Sequence, residues 1–247
     1  MELDFFIFVA VGAVAQLVDG AIGMGYGVLT TIFLLNLGLA PAPTSAIVHT
    51  CKVVTGAASG LSHAYYRNID GALLRRLVVP GVIGGVVGAY ILTRVPGQTV
   101  KPFIAAYLLL MGLIILRRAL QRRGPAAPVG RRLLPLGFAG GFFDAIGGGG
   151  WGPIVTSTLV ATGTPPRFAI GSVNLAEFFV AIFTSATFIL TIGLVHWRII
   201  AGLMLGGILA APVAAYLTKR LPARPLMIVV GIAIVALSSY TLYVAVS

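Results

Sequence analysis

Two stretches of this sequence set an ionisable side chain beside a run of glycines: DGAIGMGYG at 19–27 and DAIGGGGWG at 144–152. Closely spaced glycines break helix geometry and free backbone N–H groups. A helix that starts just after such a break aims unsatisfied amides, and the positive end of its dipole, at whatever occupies the break. Two such starts would make an anion site, with Gly25, Tyr26 and Gly27 from the first stretch and Gly150, Trp151 and Gly152 from the second. Asp19 and Asp144 are read as caps for the helices that follow, because a carboxylate near a helix start accepts amide hydrogen bonds. Tyr26 and Trp151 either wall the cavity, offering an O–H or indole N–H, or pack in the core. Pro153 suits a first helical turn, where its missing N–H costs nothing.

The remaining polarity lies in TSAIVHTCKVVTGAASG at 44–60 and AIGSVNLAEFFVAIFTS at 169–185. In each, two polar residues three apart share a helix face: His49 with Lys52, and Asn174 with Glu177. Lys52 and Glu177 carry opposite charges at equivalent positions. They are expected to meet as a buried ion pair, either a static pin or part of the transport chemistry. His49 is the other candidate proton carrier, since its unperturbed titration falls near neutral pH; the alternative is a simple hydrogen-bonding role. His63 and His196, near segment ends, are expected at an interface. No metal site and no cofactor is predicted, and the single Cys51 excludes an intramolecular disulfide.

These side chains have to be held by apolar elements. Of the 247 residues, 58% are hydrophobic and only 9% charged, against about 25% charged in a soluble domain. Apolar runs at 73–93, 100–116, 168–194, 199–218 and 226–246 approach or exceed the roughly 20 residues a helix needs to cross hydrocarbon. An integral, all-α polytopic membrane protein follows. The opening MELDFFIFVAVG lacks a basic n-region, so the first apolar segment is expected to be retained. The net charge of +11 is spread over short loops and reports topology, not nucleic-acid binding.

Shifting the chain by 125 residues sets Asp19 on Asp144, Gly25 on Gly150, Tyr26 on Trp151, His49 on Asn174 and Lys52 on Glu177; from Ile69 onward the shift is 126. The chain therefore reads as two copies of one unit, 1–118 and 133–247, joined by an arginine-rich linker at 119–132. Each copy has two short apolar pieces flanking the glycines and three long spans. The short pieces form either one broken crossing, giving parallel repeats, or a re-entrant hairpin, giving inverted repeats. With the linker in the cytoplasm, the hairpin arrangement puts 13 Lys and Arg inside and 3 outside, against 10 and 6 for the broken crossing. The positive-inside bias therefore favours inverted repeats with both termini outside.

The paired units AQLVDGAIGMGYG with P-x-x-x-x-A at 41–46, and GGFFDAIGGGGWGP with GTPPRFAIGSVN, resemble the TauE/SafE family of membrane permeases. The resemblance spans essentially the whole chain. It implies a secondary transporter, not an enzyme, that exports small sulfur-containing anions such as sulfite or organosulfonates across the bacterial inner membrane. The residues alone reach only a small anion at helix N-termini near the bilayer midplane, with alternating access. Proton coupling through Glu177, Lys52 or His49 is expected. A channel, or a carrier of another oxyanion or carboxylate, is the alternative. The bilayer and the anion are the expected partners, nucleic acid is not, and GxxxG-like spacing at 84–88 permits a homodimer.

Overall fold

A computed structural model describes residues 5–120, 132–194, 196–218 and 223–246. Much of the linker, with Arg122, Arg123 and Arg131, and the loop holding Lys219 and Arg220 lie outside the described residues. Every regular element described is helical: α1 (Phe5–Ile22), α2 (Tyr26–Asn36), α3 (Pro41–Tyr65), α4 (Gly71–Arg94), α5 (Gly97–Leu120), α6 (Leu133–Gly147), a π-helical turn (Gly152–Thr156) that runs into α7 (Ser157–Ala161), α8 (Pro166–Ile192), α9 (Trp197–Leu217) and α10 (Ala223–Val246). Six helices are long and apolar enough to cross a membrane: α1, α4, α5, α8, α9 and, over Met227–Val244, α10. The protein is a polytopic all-helical membrane protein. At 25 residues α3 has the length but carries the polar cluster.

Helix directions follow from which residues meet. α1 and α9 run the same way, since Gly206 meets Val9 and Ala13 while Gly20 meets Ala214. α6 and α4 do likewise, with Gly137 on Pro80, Gly141 on Gly81 and Gly88 on Ala145. α3 and α8 run oppositely: Thr50 contacts Ser185, Gly56 Phe178, and Gly60 Leu175. α9 follows α3, as Cys51 reaches Ile200 and Thr55 meets Gly207; α4 follows α8, as Gly81 and Gly85 meet Val180 and Thr184. So α1 and α3 point the same way, and the chain must double back between them through α2. The same holds for α6 and α8, with the π turn and α7 as the return. At 11 residues α2 is roughly 16 Å long, about half of a ~30 Å hydrocarbon core.

The halves interlock. Each half's first helix packs on the fourth helix of the other, through small residues that let backbones approach closely. Gly84 and Gly88, the spacing read as permitting dimerisation, are buried against Phe138 and Phe142 of α6, so that ridge is used within the chain. One equivalence is nearly exact in form: Gly81 of α4 accommodates the Trp151 ring, and its counterpart Gly207 of α9 accommodates Tyr26.

Candidate functional site

The helix breaks begin later than the sequence suggests. α1 continues through Asp19 to Ile22, and α6 through Asp144 to Gly147, so each aspartate lies in the last turn of the helix before the break. The chain then turns through glycines in left-handed or related backbone states that other residues rarely adopt, Gly23 (φ 72°) and Gly25 (φ 147°) in the first break and Gly148 (φ 66°) in the second. This folds each carboxylate back over the start of the following helix. Tyr26 N–H donates to Asp19 Oδ1 at 3.2 Å; Gly150 and Trp151 N–H donate to Asp144 Oδ1 at 2.8 and 3.2 Å. These are caps from six or seven residues upstream, not from the residue adjoining the helix.

The two breaks touch. A Cβ on Gly27 would run into the Gly148 carbonyl and Lys52 Nζ, and one on Gly152 into Gly23 and Met24. Thr156 Oγ1 donates to the Gly23 carbonyl at 2.7 Å, and Ser45 Oγ to the Ala145 carbonyl at 2.6 Å. Each break is thus held by a hydroxyl from the opposite half.

Lys52, buried on α3, sits at this junction. Its Nζ lies 2.8 and 3.0 Å from the two Asp144 oxygens and 2.8 Å from Glu177 Oε1. Asp144 Oδ2 is also 3.1 Å from His49 Nε2, whose Nδ1 faces the Ser45 carbonyl at 2.9 Å. Around the lysine is a narrow cleft lined by Asp19, Asp144, Glu177 and glycines of both breaks. One formal positive charge therefore faces three carboxylates. Unpaired charge is costly in a membrane interior, so this excess is the central electrostatic fact of the site.

A glycine-rich cleft where two helix breaks cross, in a polytopic all-helical membrane protein, invites comparison with transporter families. The profile of the family described as "Sulfite exporter TauE/SafE" matches residues 8–241. The chain belongs to the TauE/SafE family. This TauE/SafE protein is 42% identical over 245 residues to the "Probable membrane transporter protein YtnM" of Bacillus subtilis (strain 168), covering 96% of this chain and 82% of that protein. No solved structure matches it.

Within this TauE/SafE chain, Asp19, Gly25, Gly27, Lys52, Asp144, Gly150, Gly152 and Glu177 all line the cleft. Tyr26 and Trp151 do not. Both rings are fully buried, with the phenol 3.5 Å from the Leu203 carbonyl and the indole N–H donating to the Val173 carbonyl at 3.1 Å. They anchor the helix starts in the core, and their donors are spent. Asn174 is also drawn away: it accepts from Ser59 Oγ at 2.9 Å and donates to the Ile170 carbonyl at 3.0 Å, tying α3 to α8. His49 stands behind Asp144 and outside the cleft lining. His63, expected at an interface, is fully buried, because the loop after α3 folds Asn68 over it; His196 is exposed, at the start of α9. Val28, Gly149 and Pro153 line the cleft as well. Gly149 and Pro153 belong to the glycine stretch and its helix start, but nothing in the sequence marks the apolar Val28 for a polar cleft.

Proposed function

We propose that this protein is a proton-coupled secondary transporter that exports small sulfur-containing oxyanions, sulfite or a compact organosulfonate, across the bacterial inner membrane. The observation that carries this reading is Lys52 facing Asp19, Asp144 and Glu177 in one small cleft between two helix starts. An anion drawn to Lys52 would meet three negative neighbours. At an effective dielectric of 20 and 4 Å, each repulsion is worth about 4 kcal/mol. Protons taken up with the anion, on Glu177 and Asp19, remove that repulsion. Asp144 is already engaged by Lys52, His49 and two amides, which leaves Glu177 and Asp19 as the acceptors. Binding of the anion and of protons are then one linked event, and because the protons leave with the anion, export is driven by the anion's own outward gradient.

The amides of Gly27 and Val28, ahead of the first intrahelical bond of α2 from Leu29 N–H to the Gly25 carbonyl, are donors for the oxyanion, together with the amide of Gly152. The cleft is narrow, with Gly27 and Gly152, each at a helix start, packed directly on the backbone of the opposite break, which favours a compact anion over a bulky one. The opposed directions of α1 and α6 support an inverted repeat, with the interlocked halves rocking about the crossing of their breaks. The 13-to-3 division of Lys and Arg in the hairpin arrangement favours a cytoplasmic linker with both termini outside.

The test is counterflow in proteoliposomes with sulfite and a pyranine readout of internal pH. The reading expects uptake stimulated by trans sulfite, with protons moving alongside the anion. Uptake without trans-stimulation identifies a channel, and anion movement without protons refutes the coupling.

A further inference from the structure

A second polar cluster lies beside the central cleft, enclosed by α1, α3 and α9. Gln16, His63, Asn68 and Thr218 gather around the backbone of Gly20, the neighbour of Asp19. Thr218 Oγ1 donates to the Gly20 carbonyl at 2.7 Å, and the His63 ring lies against the same backbone. A Cβ built on Gly20 would be 3.5 Å from Gln16 Nε2. Asn68 Nδ2 is 3.2 Å from His63 Nδ1 and 3.5 Å from the Ala215 carbonyl. Gln16 and Asp19, three residues apart on α1, share a face, so the cluster adjoins the carboxylates of the cleft.

Gln16 is 2% exposed, His63 0% and Asn68 0%. Yet Gln16 Nε2 and Asn68 Oδ1 have no hydrogen-bond partner among the described residues, and His63 Nε2 has none of good geometry, the ring having only a loose contact with the Gly20 backbone. Buried polar atoms are overwhelmingly satisfied, by protein or by ordered water, and three such under-satisfied atoms of mixed donor and acceptor character around one backbone group are the environment that holds internal water. The other half has no equivalent. At the repeat offset of 125, Gln16 and His63 correspond to Gly141 and Phe188. Phe188 is fully buried, its ring centroid 5.8 Å from that of His49. This cluster extends the polarity of the centre towards the ends of α3 and α9, where Arg67, Arg75, Arg76, Arg117 and Arg118 also lie.

We propose that Gln16, His63 and Asn68 hold ordered water that extends the cleft towards the arginine-rich end and carries protons between that end and Asp19. The proton role rests on the coupled-transport reading above; the hydration does not. Two measurements decide it. A density map of the protein in lipid nanodiscs, at a resolution that shows water, is expected to place water within hydrogen-bond distance of His63 Nε2 and Gln16 Nε2; side chains closed on one another without water overturn the proposal. In proteoliposomes, Q16L and H63L are expected to lower sulfite-driven proton movement at least tenfold, while sulfite affinity of the purified variants stays within twofold of the parent. H63N, which keeps a polar group, should restore most of the flux. Proton movement at the parent rate in H63L also overturns it. A parent protein that moves sulfite without protons refutes the coupling and the proton role together, leaving the map to decide the hydration.

Discussion

Replacing Lys52 by methionine removes the one cation at the junction while keeping its aliphatic bulk. It deletes contacts of 2.8 and 3.0 Å to Asp144 and of 2.8 Å to Glu177, leaving buried carboxylates without a counter-ion. Breaking a buried pair from one side costs about 3–5 kcal/mol. The loss here belongs at the upper end, because both partners of Lys52 are uncovered at once. The anion also loses its cationic contact, worth about 4 kcal/mol at 4 Å and an effective dielectric of 20, or about a thousandfold in affinity. Two assays separate the effects. Thermal unfolding of purified Lys52→Met, followed by loss of monodispersity, should show a marked drop. Calorimetric titration with sulfite should show no binding in the range where the parent saturates. Adding Asp144→Asn and Glu177→Gln to Lys52→Met removes both carboxylates that the lysine had covered, leaving Asp19 as the remaining cleft acid, and should recover most of the stability, but not the binding. A Lys52→Met protein that unfolds at the parent temperature and binds sulfite at the parent affinity would refute the reasoning and leave the backbone amides acting alone.

Glu177→Gln is expected to keep sulfite binding and flatten its pH dependence to the part that Asp19 carries. In the parent, binding tightens as pH falls, because protons neutralise the carboxylates facing the anion; a variant whose affinity climbs with acid as steeply as the parent's would place the coupling elsewhere. Asp144→Asn should destabilise by about 3 kcal/mol and Asp19→Asn by about 1 kcal/mol, since Asp144 serves Lys52, His49 and two amides whereas Asp19 caps one; equal losses in thermal unfolding would contradict the asymmetry. For topology, on a Cys51→Ala background, Arg94→Cys and Arg198→Cys should react in intact cells with a membrane-impermeant maleimide, and Arg67→Cys and Arg167→Cys only after permeabilisation. Labelling of Arg167→Cys in intact cells would remove the inverted arrangement.

Much of the site can be read from the sequence, for a physical reason. An aspartate beside glycines in an apolar chain has few uses other than holding a broken helix, which marks Asp19 and Asp144. The repeat offset sets Lys52 on Glu177, and residues near a pseudo-twofold axis meet their counterparts, which marks that pair. What the sequence hides is the partner of Lys52 off that axis. Asp144 reaches the lysine only because α6 enters from the opposite direction to α3, a fact of packing with no local signature. The aromatics mislead for a related reason: a tyrosine or tryptophan beside glycine fits a cleft wall as well as a core, and only Gly81 and Gly207, distant in sequence, decide for the core. His63 reads as interfacial by position, yet the loop carrying Asn68 buries it.

The central claim is that two crossing helix breaks and Lys52 together bind an oxyanion. A cryo-electron microscopy map of the protein in nanodiscs with saturating sulfite tests it most directly. The account predicts density for one compact anion within hydrogen-bond distance of Lys52 Nζ and of the amides of Gly27 and Val28, between the breaks at Gly23–Gly25 and Gly148–Gly150. An anion bound elsewhere, or a cleft that stays closed around Lys52, Asp144 and Glu177 at saturation, would contradict it.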